Sequence, residues 1–568
     1  MVTVSMVREL SKMNMKRIHF MSASLLGFVL MTVPAMAQES DALPGLANPG
    51  DTPTTFENPE LFAKYQATIT ADDLAAHLYF FASDFFEGRE TTARGQKMAA
   101  EYLAGQYRKM GLAPKGTAAT DNPRSPRAYL QPFPLYESKF DKAELFLNGS
   151  EVADHTFGGD QTDGSFLTMF GGSSDVTASL VFAGYGIGDD GLGYDDFAAL
   201  EAAGIDYSGK WVMMLADEPM KDAETSLFPT ENNEVSAWTT SRFNKLRPFF
   251  QTETPPAGIF VVGDLSMRQN GSVYDAAMAG ASSSAGVGSL SLEKPSGEGR
   301  GSRFPTVLNI SADLANKMIA SSGKTVQDVK ASIDSSLKPV VFESDMSVRA
   351  SVANIIVETF SENVLAFIEG SDPMLKDEYV VISSHYDHVG MNDSEEDGIF
   401  NGADDDGSGT VSVLEIAEAF QKAKNDGNGP RRSVIFLNVS GEEKGLLGSA
   451  FYTDYEPVVP LEKTVTNLNI DMIGRIDPTH PGDTDDYVYI IGSNLVSQEL
   501  HDINIRVNEI IGTDLDLNER FNSKDDPNQF YRRSDHWNFG KNNIPFIFFF
   551  IMLITKFTKK ICSSLRPV

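Results

Sequence analysis

Short, largely apolar runs rich in β-branched residues recur through the second half of the chain, at 354–359, 364–368, 379–384, 434–439, 466–470, 487–491 and 544–550. Runs of this length predict strands, and the absence of alternation predicts that both faces are buried. Between them the period changes. Residues 409–423 place Val413, Ala417 and Phe420 on one helical face, and 445–453 also reads as helical. Apolar strands separated by helices predict an α/β fold with a mostly parallel sheet flanked by helices. Earlier in the chain, Thr70-Ala-Asp-Asp73 reads as a helix start, and Leu74, Leu78 and Phe81 follow on one face. A second helix is expected over 93–110, with Ala99, Leu103 and Met110 inward and Gly111 as its stop. Glu87-Gly88-Arg89, between the two helices, reads as a turn.

The middle of the chain has a different texture. Strands are expected at 178–183, 211–215 and 258–262, with a Gly/Ser-rich loop at 280–303 and a helical stretch at 312–332. This predicts an inserted β-rich domain over 171–315. The surrounding domain then comprises 38–170 and 316–568, and 38–67, rich in Pro, Asn and Asp, reads as a linker or surface arm.

Composition narrows the picture. A chain of 568 residues exceeds one core, so two or more domains are expected. Its formal charge of −32 disfavours nucleic acid as a partner. Lys16 and Arg17 precede an apolar run to Val33, and Ala35-Met-Ala37 supplies small residues for cleavage. Residues 1–37 therefore read as a signal peptide, with a periplasmic or secreted mature chain and no membrane span in it. The single cysteine, Cys562, forms no internal disulfide.

Candidate chemistry sits where the apolar runs end. His385 and Asp387 follow 379–384, Glu442 and Glu443 follow 434–439, and Asp471 follows 466–470. Asp404, Asp405 and Asp406 lie between Gly402 and Gly407, and Ser534-Asp-His536 precedes the last strand. Taken singly, an Asp triplet between glycines suits an acidic turn or a calcium loop, and a Glu-Glu pair suits a solvated face. Together, His385, Asp405, Glu443, Asp471 and His536 form a nitrogen and oxygen donor set that suits zinc, with Mn2+ or Co2+ less favoured. Asp405 can bridge two ions, Glu442 can act as general base, and Asp387 can orient His385. His388 reads as a structural residue or a support for a ligand.

The motifs H-Y-D-H, G-A-D-D-D-G-S-G, S-G-E-E-K-G-L-L-G-S, N-I-D-M-I-G and S-D-H-W-N-F together resemble the co-catalytic zinc aminopeptidases, family twenty-eight of the metallopeptidases. Gly88-Arg89 with Gly95 and Ala100 looks like that family's amino-terminal helix motif, and 183–262 looks like its protease-associated insertion. The resemblance implies a zinc-aminopeptidase-like fold and two Zn2+ ions. One ion falls to His385, Asp405 and Asp471, the other to Asp405, Glu443 and His536. It implies hydrolysis at peptide or protein N-termini by a metal-bound hydroxide, with Glu442 as base and Asp387 as support. Alternatives are a non-catalytic binding protein on the same scaffold, a glutaminyl-cyclase-like acyltransferase with one zinc, and a carboxypeptidase.

The resemblance is expected to break after Phe550. Residues 551–568 contain Lys556, Lys559, Lys560 and Arg566 and no acid, in a chain otherwise acidic. This predicts a reading-frame slip or truncation within 546–550, which resequencing of the coding DNA would test. All five expected ligands precede it.

Overall fold

The protein is described from a computed structural model, which covers residues 59–122, 125–156, 166–170, 173–189, 191–240, 242–263, 265, 289–294, 305–391, 397–481, 485–513 and 515–551. The expected signal peptide, most of the Gly/Ser-rich loop and nearly all of the basic tail lie outside these residues. The chain divides into two compact units, Met1–Leu135 with Thr359–Val568, and Tyr136–Glu358.

In the first unit, Tyr379–His385 pairs in parallel with Ser433–Val439 on one side and Thr464–Ile470 on the other, and Phe546–Phe550 extends the ladder in parallel. Antiparallel neighbours flank these four, residues 364–368 beside Ser433–Val439 and Tyr487–Ile491 beside Phe546–Phe550. The mixed sheet is thus parallel at its centre, as the apolar runs predicted. Strand geometry sends alternate side chains to opposite faces. Val380 and Ile382 accordingly join the core built with Leu74, Leu103 and Val413, and Val381 joins Tyr452, Phe539 and Ile544 on the other face.

The helices that cover the first face start and stop as their sequences dictate. Thr70 caps Ala71–Phe81 by accepting from the Asp73 N–H, and Gly111 closes Arg94–Met110 with φ 87°. Ala99, Leu103 and Tyr107 are buried there, while Met110 is only half-buried. The 38–67 segment is not all linker: Pro59–Gln66 is a helix with Phe62 and Tyr65 buried. Proline suits the first turn, where its missing N–H has no partner to lose.

The second unit is larger than the expected insertion and is not simply β-rich. Ser174–Ala183, Trp211–Leu215, Gly258–Val262 and Thr306–Ile310 form a parallel ladder. Asp196–Ala202 and Arg242–Phe250 supply Leu200, Leu246 and Phe249 to one face. Ala312–Ile319 and Val326–Ser336 cover the other with Leu314, Met318 and Ile333. The bounds shift because hydrogen bonding, not texture, sets them. The expected strands 354–359 and 364–368 belong to one strand, Val341–Ile368, whose residues 341–352 pair with Ser174–Ala183. Among the described residues, no helix is long and apolar enough to cross a membrane.

Candidate metal centre

The three parallel strands end together. His385 closes Tyr379–His385, the Ser440-Gly-Glu442 turn follows Ser433–Val439, and Asp471 follows Thr464–Ile470. Carboxyl ends of parallel strands form one edge, so these side chains converge from distant parts of the sequence. Asp405 arrives from the loop that opens the helix Gly407–Asn425.

Two groups of metal-type side chains result. His385, Asp405 and Asp471 form one, His388, Asp405 and Glu443 the other, with the ligand atoms of each within 4.8 Å of one another. His385 Nε2 lies 3.2 Å from Asp405 Oδ1 and 3.5 Å from Asp471 Oδ1. His388 Nδ1 lies 2.8 Å from Glu443 Oε1. Asp405 is shared.

The three aspartates divide sharply in role. Asp404 accepts from the Gly474 N–H at 2.7 Å and from Ser408. Asp406 accepts from the backbone N–H groups of Gly409, Met472 and His385. Only Asp405 faces the histidines. Burial pushes its carboxyl up, but hydrogen bonding to and charge on His385, with the charges of His388 and Arg89, outweigh that and hold it below the usual range.

The donors fit a cation. Asp471 Oδ1, Glu443 Oε1 and His388 Nδ1 are buried and make no hydrogen bond of proper angle, although each faces another donor atom. Buried polar atoms without partners are rare, and a set converging on one place suits an ion. The supports are in place too. Asp471 Oδ2 accepts from Ser534 at 2.7 Å. His385 Nδ1 lies 3.2 Å from the Asp387 carbonyl and 3.7 Å from its carboxylate. Asp387 Oδ1 also accepts from the Glu442 N–H at 3.3 Å. Burial drives the Glu442 carboxyl well above its ordinary range, and Asp471, Asp535 and Glu443 add to this while His385 opposes it.

His536, expected to bind the second ion, joins neither group. It starts the short helix His536–Gly540, and its ring stacks on Phe548 at 4.5 Å and lies 4.9 Å from Phe546. In Ser534-Asp-His536 it is Ser534 that reaches Asp471, because successive side chains entering a helix point about 100° apart. His388, expected as a support, stands in the second group instead. Its place two residues beyond Tyr386 was the signal for this, since the chain leaving a strand can bring both histidines to one edge.

Residues 363–561 match the model of peptidase family M28, so the match runs past Phe550, where the resemblance was expected to end. Aminopeptidase YwaD of Bacillus subtilis is 34% identical over 95 residues, 17% of this chain and 18% of that protein. A probable glutamate carboxypeptidase of Arabidopsis thaliana is 34% identical over 110 residues, 19% of this chain and 14% of that protein. Both matches thus span less than a fifth of the relatives' own lengths. A zinc aminopeptidase structure from Bacillus subtilis aligns over 84% of each chain with 17% identity and a TM-score of 0.40. Residues 363–561, the stretch similar to peptidase family M28, carry both groups of ligand-type side chains.

Proposed function

We propose that this protein is an exported di-zinc aminopeptidase that hydrolyses the bond after the amino-terminal residue of peptides or proteins. The observation that carries the reading is Asp405, shared by two three-residue groups of nitrogen and oxygen donors. His385, Asp405 and Asp471 would hold one ion, and His388, Asp405 and Glu443 the other. Zinc suits this donor set better than Mn2+ or Co2+. When bound, the ions supply Lewis acidity toward the scissile carbonyl and the attacking water.

The remaining chemistry belongs to the chain. Glu442 is the general base: it takes the water proton and returns it to the leaving amine nitrogen as the C–N bond breaks. Burial raises its carboxyl above the ordinary range, which favours its taking a proton from water. Asp387 orients His385 and, through the Glu442 N–H, also fixes the segment that carries the base.

The test is metal content of the purified chain, with hydrolysis of aminoacyl-nitroanilides and Glu442→Gln as control. About two zinc ions per chain are expected. The variant should keep them while turnover falls roughly 10²–10⁴-fold. Absence of metal uptake would sink the reading, and cleavage only of peptides with a blocked amino terminus would replace aminopeptidase with carboxypeptidase. Export after Ala37 is checked by sequencing the mature amino terminus, expected to begin at Gln38.

A further inference from the structure

Arg89 is a fully buried cation with no acidic side chain in hydrogen-bond contact among the described residues. Burying a guanidinium is costly, so its partners identify what it is for. All four hydrogen bonds go to backbone carbonyls. Nε donates to Tyr386 at 2.8 Å, Nη1 to Phe81 at 3.0 Å and to Asn401 at 2.7 Å, and Nη2 to Gly402 at 2.8 Å. Tyr386 follows the ligand His385, and Asn401 and Gly402 lead into the ligand Asp405. One planar fork therefore ties together two segments whose side chains meet at a single candidate ion position.

The residues around Arg89 extend the same contact. The Arg89 carbonyl accepts from the His388 N–H and the Gly88 carbonyl from the Gly390 N–H. A Cβ at Gly88 would lie 2.2 Å from the Gly390 carbonyl oxygen, so only glycine permits this approach. Glu90 pairs with Lys444 at 2.8 Å, beside Glu443. Thr91 donates to Asp387 Oδ2 at 2.7 Å, and Asp387 supports His385. In four consecutive residues this strap meets the loops that carry His385, His388, Asp405 and Glu443.

The geometry points to the Gly88–Thr91 strap as the positioning element of the metal centre, with Arg89 spacing His385 from Asp405 and Thr91 fixing Asp387. This rests on the metallopeptidase reading. Lysine cannot substitute, since a single ammonium with three donors offers no rigid fork to hold four separate carbonyls. The site depends on this strap although none of its side chains reaches a ligand position.

The test uses the full chain, stripped of metal and reloaded with zinc or Co2+, as wild type, Arg89→Lys and Thr91→Val. Affinity is read by competition with a chelator, geometry by the visible absorption of Co2+, and folding by thermal melting. For folded Arg89→Lys, metal affinity is expected to fall roughly 10–100-fold, with a changed Co2+ spectrum. Its kcat should fall while KM stays near the wild-type value. A folded Arg89→Lys with wild-type affinity and spectrum overturns the inference. If that variant does not fold, Thr91→Val decides, because it removes one hydrogen bond: weakened affinity supports the strap, and unchanged affinity overturns it. Failure of the metallopeptidase reading looks different, as a wild-type chain that takes up no metal.

Discussion

Asp405 and His536 show how far the role of a residue depends on which way its side chain leaves the backbone. Asp405 is the one member of its triplet not used up by backbone N–H groups, and it alone belongs to both groups. Asp405→Asn should therefore abolish uptake of both ions, while the metal-free melting temperature changes by only a few degrees. Retention of one tightly bound ion would contradict the shared role. His536 is buried against Phe546 and Phe548, and burial pushes its imidazole down to about 3, with the Tyr531 and Phe530 backbone opposing only in part. Between pH ~6.5 and ~3 the unfolded chain binds a proton that the folded chain does not, so stability falls as the pH drops through that window. His536→Phe removes this dependence. From pH 7 to pH 5 the wild type should lose about 2 kcal/mol more than the variant in urea denaturation. Zinc content of the variant should stay at the wild-type value, and its loss would return His536 to the ligand set.

Elements explain why these side chains converge. The helix Gly407–Asn425 begins at Asp406, whose carboxylate accepts from Gly409 as a cap and also from Met472 and His385. Asp406→Ala should cost about 2–4 kcal/mol, since it removes a cap and leaves two further buried N–H groups without partners. Equal stability by denaturant titration would contradict that account. The strands that carry the site were legible because they are apolar on both faces and so cannot hide from a hydrophobicity pattern. The candidate ligands His385 and Asp471, which stand where such strands end, were legible for the same reason. Other elements were not. Gln498–Ile511 is a helix that buries Leu500, Ile503, Asn504 and Val507, yet Ile503-Asn-Ile-Arg-Val507 alternates like a strand and masks the helical period. Pairing also overrode texture, as in Val341–Ile368, where partners hold one long strand through polar Ser361, Glu362 and Asn363. Spacing along a sequence does not say which of three consecutive side chains turns toward Asp471, and in Ser534-Asp-His536 it is Ser534 that does. The turn expected at Glu87-Gly88-Arg89 is there, but the partners of Arg89 were not legible, because three of its four carbonyls come from segments far away in the sequence.

At the scale of the molecule, each unit buries apolar residues of its own strands and helices, and so has its own core. Both groups of metal-type residues among the described residues belong to the first unit. Ligand binding stabilises only the cooperative unit that holds the ligand, by RT ln(1 + [L]/Kd), or about 4 kcal/mol at a thousandfold excess over Kd. Two units with separate cores should melt in two calorimetric transitions. Chelation should lower the transition of the first unit by roughly 10 °C and leave the other in place. Asp405→Asn should melt at the chelated position whether or not zinc is present, which separates loss of the ions from any direct effect of the chelator. A single transition that shifts as a whole would mean that the two cores unfold together. A shift confined to the transition of the second unit would place the metal outside the cluster around Asp405, against the reading of the site.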